Sequence, residues 1–190
     1  MPQPGILILS APSGAGKTSL AKALVDTCPS AELTVSHTTR TQRPGEINGQ
    51  HYHFVDKAEF SRMVDGGEFI EHALVFDHFY GTSVTAIEVL LANGKHAILD
   101  IDWQGARGVR EKFPGARSCF IMPPSIEALE QRLRQRKQDS DTTISRRMSK
   151  AQSEMSHKDE YDHVVINDCF EDALCELQTI LKNLDSNHIR

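Results

Sequence analysis

Residues 10–19 read Ser-Ala-Pro-Ser-Gly-Ala-Gly-Lys-Thr-Ser and directly follow the apolar run Gly5-Ile6-Leu7-Ile8-Leu9. Glycines at 14 and 16 let successive backbone N–H groups turn inward. A helix beginning near Lys17 adds its positive N-terminal end, so the segment is built to hold a chain of phosphates. In such a loop the lysine reaches the terminal phosphate oxygens and the following hydroxyl, here Thr18, ligates Mg²⁺. The first glycine of the usual GxxxxGK[ST] spacing is replaced by Ala11, which a negative φ accommodates. The triphosphate is therefore expected along Ala11, Pro12, Ser13, Gly14, Ala15, Gly16, Lys17, Thr18 and Ser19. The alternative, a glycine-rich turn with no function, does not account for a strand before the loop and a helix after it.

Loops of this kind work with a second acid at the end of a neighbouring apolar strand, which holds the metal through water. Ala97-Ile98-Leu99-Asp100 has that form, and Asp102 shares the face of Asp100 if the strand continues. Asp102 can equally cap a helix starting at Trp103. A second cluster has different chemistry. Arg40 and Arg43 stand three apart in a Gly/Pro-rich loop, with Tyr52 and Tyr80 further on; guanidinium forks and phenolic hydroxyls suit a terminal phosphate gripped from several directions. Glu71 lies in the apolar stretch Phe69-Ile70-Glu71, where a buried carboxylate needs donors. Guanine supplies an adjacent pair, N1–H and N2–H₂, and the hydroxyls of Ser36 and Thr82 would answer its O6 and N7 acceptors.

The elements that must carry these residues follow from periodicity. Apolar runs near 6–10, 33–37, 96–101, 117–122 and 163–166 read as strands; helical patterns over 17–27, 84–92, 104–112, 125–136, 144–158 and 170–184 alternate with them. That alternation predicts βαβ units and a mostly parallel sheet flanked by helices, an α/β fold of the P-loop NTPase type. Residues 40–83 break the rhythm. A polar turn-rich loop, strand-like pieces at 51–55 and 68–76 and a short helix over 57–64 describe a small α+β insert, too small to be stable alone. The segment 137–143, with Arg132, Arg134, Arg136, Arg146 and Arg147 around it, has the composition of a mobile lid.

Composition narrows the classes further. The 190 residues suit one main core, and 39% hydrophobic with 25% charged residues is ordinary for a globular chain. A net charge of −5 argues against a general nucleic-acid or anionic-membrane binder. Neither a membrane span nor a basic, then apolar leader is visible, which points to the cytoplasm. Cys28, Cys119, Cys169 and Cys175 lack the spacing of a zinc site or a disulfide framework, and His51 with His53 finds no further ligands at a recognisable spacing.

Together these residues resemble those of the guanylate kinases, enzymes that convert GMP and ATP to GDP and ADP, from Ile6 to about Leu184. The resemblance rests on residues 12–18, on Ser36-His37-Thr38-Thr39-Arg40-Thr41-Gln42-Arg43-Pro44-Gly45-Glu46 with Asn48-Gly49 and Tyr52, on Glu68-Phe69-Ile70-Glu71, on Tyr80-Gly81-Thr82, on residues 98–102 with Gln104-Gly105, and on Val165-Ile166-Asn167-Asp168. It implies that Arg40, Arg43, Tyr52 and Tyr80 hold the GMP phosphate. It also implies that Ser36, Glu71, Thr82 and Asp102 read guanine and that Asp100 lies near the metal. Arg136 and Arg147 match arginines that swing over the transferring phosphoryl, and Asn167 matches a residue beside the adenine. The implied layout is a core over about 1–35 and 84–190, a GMP-binding insert over about 36–83 and a lid over about 134–147. ATP and Mg²⁺ are the implied co-substrate and metal, purine metabolism the setting. Acceptance of dGMP and homo-oligomer formation are left open.

A phosphate acceptor is mostly dianionic at neutral pH and needs little general-base help. The work is to bring two anions together in line, with Lys17, Mg²⁺, Arg43, Arg136 and Arg147 around the charge of the γ-phosphoryl. Two other readings share parts of this pattern. A kinase for another nucleoside monophosphate or for a hydroxyl metabolite shares the phosphate loop and differs at Glu71 and the Arg/Tyr clamp, which a hydroxyl acceptor has no need of. A non-catalytic phosphopeptide-binding module of guanylate-kinase-like fold typically loses the intact loop, whereas Lys17 and Thr18 are present here.

Overall fold

The unbroken apolar run of the first strand sets up a sheet that is covered on both faces. In the computed structural model, which describes residues 4–75, 77–135 and 140–186, β1 (Ile6–Ser10) is buried throughout and leads through the phosphate loop into α1 (Lys17–Thr27). Next come β2 (Ala31–Leu33), β3 (His37–Thr38), β4 (His53–Phe54), α2 (Lys57–Asp65), β5 (Phe69–Val75), β6 (His78–Ser83) and α3 (Val84–Ala92). The chain continues through β7 (His96–Asp100), α4 (Trp103–Lys112), β8 (Arg117–Met122), α5 (Ile126–Gln135), α6 (Asp141–Met155), a 3₁₀ turn at Lys158–Glu160, β9 (His163–Ile166) and α7 (Phe170–Ser186). Five strands form a parallel sheet in the order β2-β7-β1-β8-β9. Leu7, Leu9, Ile98, Cys119, Ile121 and Val165 pack on one face against α1 and α7. Ile6, Ile8, Ala97, Leu99 and Phe120 pack on the other against α3 and α4. This is the α/β architecture expected from the alternation of periods.

Residues 34–36 leave the parallel sheet, so the single strand expected over 33–37 is two strands in two sheets. The second sheet, β4-β3-β6-β5, includes a strand the sequence reading did not separate, β6, paired antiparallel to β5. Its hairpin turns at Asp77, whose φ of 71° is accommodated by the short side chain of an aspartate. Phe60, Met63 and Phe69, with Val55, Val64 and Phe79 against them, make a separate small core for this unit. The lid segment expected over 137–143 is helical from Asp141, with Ser140 capping α6 through the Thr143 N–H. Ser83 and Asp56 cap α3 and α2 in the same way. No helix among the described residues is long and apolar enough to cross a membrane.

Candidate active site

At the end of β1 the chain turns through Gly14 and Gly16, both near φ +95°, a region an L side chain rarely enters. A Cβ on Gly16 would also stand 2.5 Å from the Asn167 amide nitrogen. The Ala15 N–H closes the turn on the Pro12 carbonyl, and Asn167 Nδ2 donates to the Ala15 carbonyl at 2.7 Å, tying the loop to the end of β9. Asn167 thus braces the phosphate loop from beneath. Lys17 donates to the Ile101 carbonyl at 2.9 Å and pairs with Asp100 at 2.6 Å; the Thr18 hydroxyl donates to the other Asp100 oxygen at 2.8 Å. The parallel register of β1 beside β7, with Leu9 opposite Asp100, brings these three side chains together.

Glu71 is placed by an irregularity. Between Phe69 and Glu71 the pairing of β5 with β6 shifts by one residue, a bulge that re-aims side chains next to it. Phe69 stays in the insert's core, Ile70 packs into the main core, and Glu71 faces Thr82. Thr82 donates to Glu71 Oε1 at 2.7 Å and shares a 3.0 Å hydrogen bond with Ser36, so three of the residues expected to read guanine form one buried chain. Burial pushes the Glu71 carboxyl up to about 7, with the Asp102 charge adding to the rise and the Thr82 hydroxyl and Lys17 opposing it. Asp102 takes the helix-capping role: Oδ1 accepts the Gly105 N–H at 2.9 Å and Oδ2 accepts from Gln104 at 3.1 Å. Gly105 itself lies against Glu71. A Cβ there would overlap Oε2 and stand 2.9 Å from Cδ, a requirement the sequence reading missed because it depends on packing between α4 and β5.

Two open clefts meet here. A larger one of about 710 Å³ runs along Ala11–Gly14 and Gly16–Ser19 to Arg43, Pro44, Arg147 and Glu154. A smaller one of about 190 Å³ is lined by Ser36, Tyr52, Glu71, Ala73 and Tyr80 with Asp100 and Ile101. Lys17, Thr18, Val75 and Asp102 belong to both, so the clefts join beside the lysine. Tyr52 and Tyr80 meet edge to face at 5.8 Å, and burial raises the Tyr52 phenol well above its ordinary range. Arg40 stacks over Tyr52 at 5.5 Å and pairs with Glu46 at 2.7 Å; the other Glu46 oxygen accepts the Arg43 N–H at 2.8 Å. Glu46 therefore sets the shape of the arginine loop. Arg136 lies outside the described residues.

A parallel sheet with a phosphate loop at the carboxyl end of its first strand, facing a small insert across joined clefts, defines a P-loop kinase. The family model for guanylate kinase matches residues 3–184. Guanylate kinases of Methylococcus capsulatus and Chromohalobacter salexigens are 56% and 58% identical, over 96% and 95% of this chain and 89% and 84% of those chains. A guanylate kinase structure from Anaplasma phagocytophilum superposes with a TM-score of 0.82 at 36% identity, covering 97% of this chain and 88% of that one. A gluconokinase from Sinorhizobium meliloti, at 17% identity and a TM-score of 0.53, covers 98% of this chain and 97% of that one and shares the fold alone. The chain belongs to the guanylate kinase family.

Proposed function

We propose that the chain transfers the γ-phosphoryl of ATP to GMP, with ATP along the larger cleft and GMP in the smaller one. The observation that carries this is the meeting of the two clefts at Lys17, one donor side chain that lines both of them. In this reading Glu71, held by Thr82 and Ser36, accepts the paired donors of guanine, while Tyr52, Tyr80, Arg40 and Arg43 hold the GMP phosphate. Arg43 and Arg147 line the ATP cleft and offset the charge that spreads over the transferring group. The hard oxygens of Thr18 and Asp100 stand 2.8 Å apart, a donor set of the type Mg²⁺ takes. Bound there, Mg²⁺ would neutralise phosphate charge. The dianionic acceptor attacks without a general base, so the protein's part is alignment, charge and exclusion of water. Arg136 completes the arginine set in this proposal, and the unit over about 36–83 acts as the acceptor-binding insert.

The direct test is ADP release with ATP and Mg²⁺ in the presence of GMP, AMP, CMP, UMP or no acceptor. ADP formation that depends on GMP is the expected result. Preference for another monophosphate would overturn the role of Glu71, and no turnover with any acceptor would favour the phosphopeptide-binding alternative.

Gly105→Ala separates helix propensity from recognition. Alanine is the better helix former by about 1 kcal/mol, so α4 alone should gain stability. Its methyl group, however, would displace the Glu71 carboxylate. The expected result is a KM for GMP raised about tenfold or more with the KM for ATP within about twofold, the loss of one charged hydrogen bond. Equal KM values for GMP in variant and parent would remove Gly105 from this role.

A further inference from the structure

A buried acid stands where the phosphates of ATP are expected. Glu154, on α6 and 7% exposed, accepts the Ser13 N–H of the phosphate loop on Oε2 at 3.2 Å, and Lys150 lies 3.8 Å from Oε1. Burial raises its carboxyl above the ordinary range and Asp102 adds to the rise, against the pull of Ser13, Lys150 and Lys17. A negative charge lining a polyphosphate site works against binding, so charge does not explain it. The contact it makes does. Ser13 is 141 residues away in sequence, and this hydrogen bond fastens α6 to the phosphate loop. Arg147 precedes Glu154 by seven residues, two turns along nearly the same helix face, and both line the ATP cleft.

We infer that Glu154 is a positioning residue: by accepting the Ser13 N–H it sets α6 against the phosphate loop and so fixes where Arg147 stands over the transferring phosphoryl. This rests on the reading of the larger cleft as the ATP site. The role needs an acceptor oxygen and not a charge, because a neutral amide oxygen accepts the same bond. Wild type, E154A, E154Q, E154L, R147A and the E154A/R147A double variant are compared by steady-state kinetics, with circular dichroism to verify folding. E154A is expected to lower kcat about tenfold to a hundredfold, the cost of misplacing a group by about 1 Å, with the KM for GMP within about twofold. E154Q should recover kcat to within about threefold, and the double variant should fall no further than R147A, since both act through one arginine. E154L fills the buried space without an acceptor and carries the test if E154A does not fold. Activity of E154L or E154A within about twofold of wild type would overturn the inference. So would an E154Q as impaired as E154A, or additive losses in the double variant. A wild-type protein that forms no GMP-dependent ADP would instead overturn the proposed function on which it rests.

Discussion

Lys17→Ala is expected to reduce GMP-dependent ADP formation by at least about 10²–10³, the usual cost of removing one preorganised donor from charge that develops in the transition state. The lysine sits where the two clefts join, so under the proposed function its loss would leave the phosphates of both nucleotides without a shared cation. The fold should survive. Lys17 makes one ion pair with Asp100 and one bond to the Ile101 carbonyl, at a partly exposed position. Loss of such a pair costs about 1 kcal/mol or less, a shift of roughly 2–4 °C in the melting midpoint of a chain this size. Turnover within about tenfold of wild type in a folded Lys17→Ala protein would sink the assignment of the loop.

Glu71→Gln should weaken GMP binding about a hundredfold, because the amide can present a donor where guanine also has donors and because one or two charged hydrogen bonds are lost, each about 1.5–3 kcal/mol. The KM for ATP should stay within about twofold. The same residue predicts a pH dependence. Its carboxyl is pushed up to about 7 by burial, so in the GMP-free protein it holds a proton below that pH and cannot accept both guanine donors. GMP affinity is expected to fall as pH drops below about 7, approaching tenfold per unit, and to level off above it. GMP's own phosphate titrates near 6, and Glu71→Gln isolates that contribution because the variant keeps only the phosphate's profile. Stability moves the other way. A buried carboxyl that holds its proton more tightly folded than unfolded contributes stability below about 4.5, lost as pH rises through about 7. The melting midpoint of Glu71→Gln relative to wild type should therefore rise between pH 5 and pH 8. Identical GMP affinity in the two proteins by calorimetry would take Glu71 out of base recognition.

Much of this site could be read from local pattern. The phosphate loop is ten consecutive residues whose glycines, lysine and threonine are recognised by spacing alone; β1 and α1 have the expected bounds because their periods change sharply at Ser10 and Lys17. The parallel sheet followed from helices alternating with buried runs. The small insert was harder, since its strands are short and its hairpin turns at an aspartate instead of Asn-Gly or Asp-Gly, leaving β6 merged with residues noticed for their hydroxyls.

By itself, then, the sequence determined the alternating strands and helices of the parallel sheet, which residues are candidates to hold phosphates and which acid needed donors, because those depend on chemistry and spacing within a few turns of chain. Only the tertiary structure decided what each one meets. A one-residue bulge turned Glu71 toward Thr82 and against Gly105, and packing between α4 and β5 made a glycine necessary there. The helix cap, not a free carboxylate, became the present role of Asp102. Glu154 reached the phosphate loop across 141 residues because α6 packs over it. Such meetings are set by register and by helix packing, where no short stretch of sequence carries the distance between two side chains.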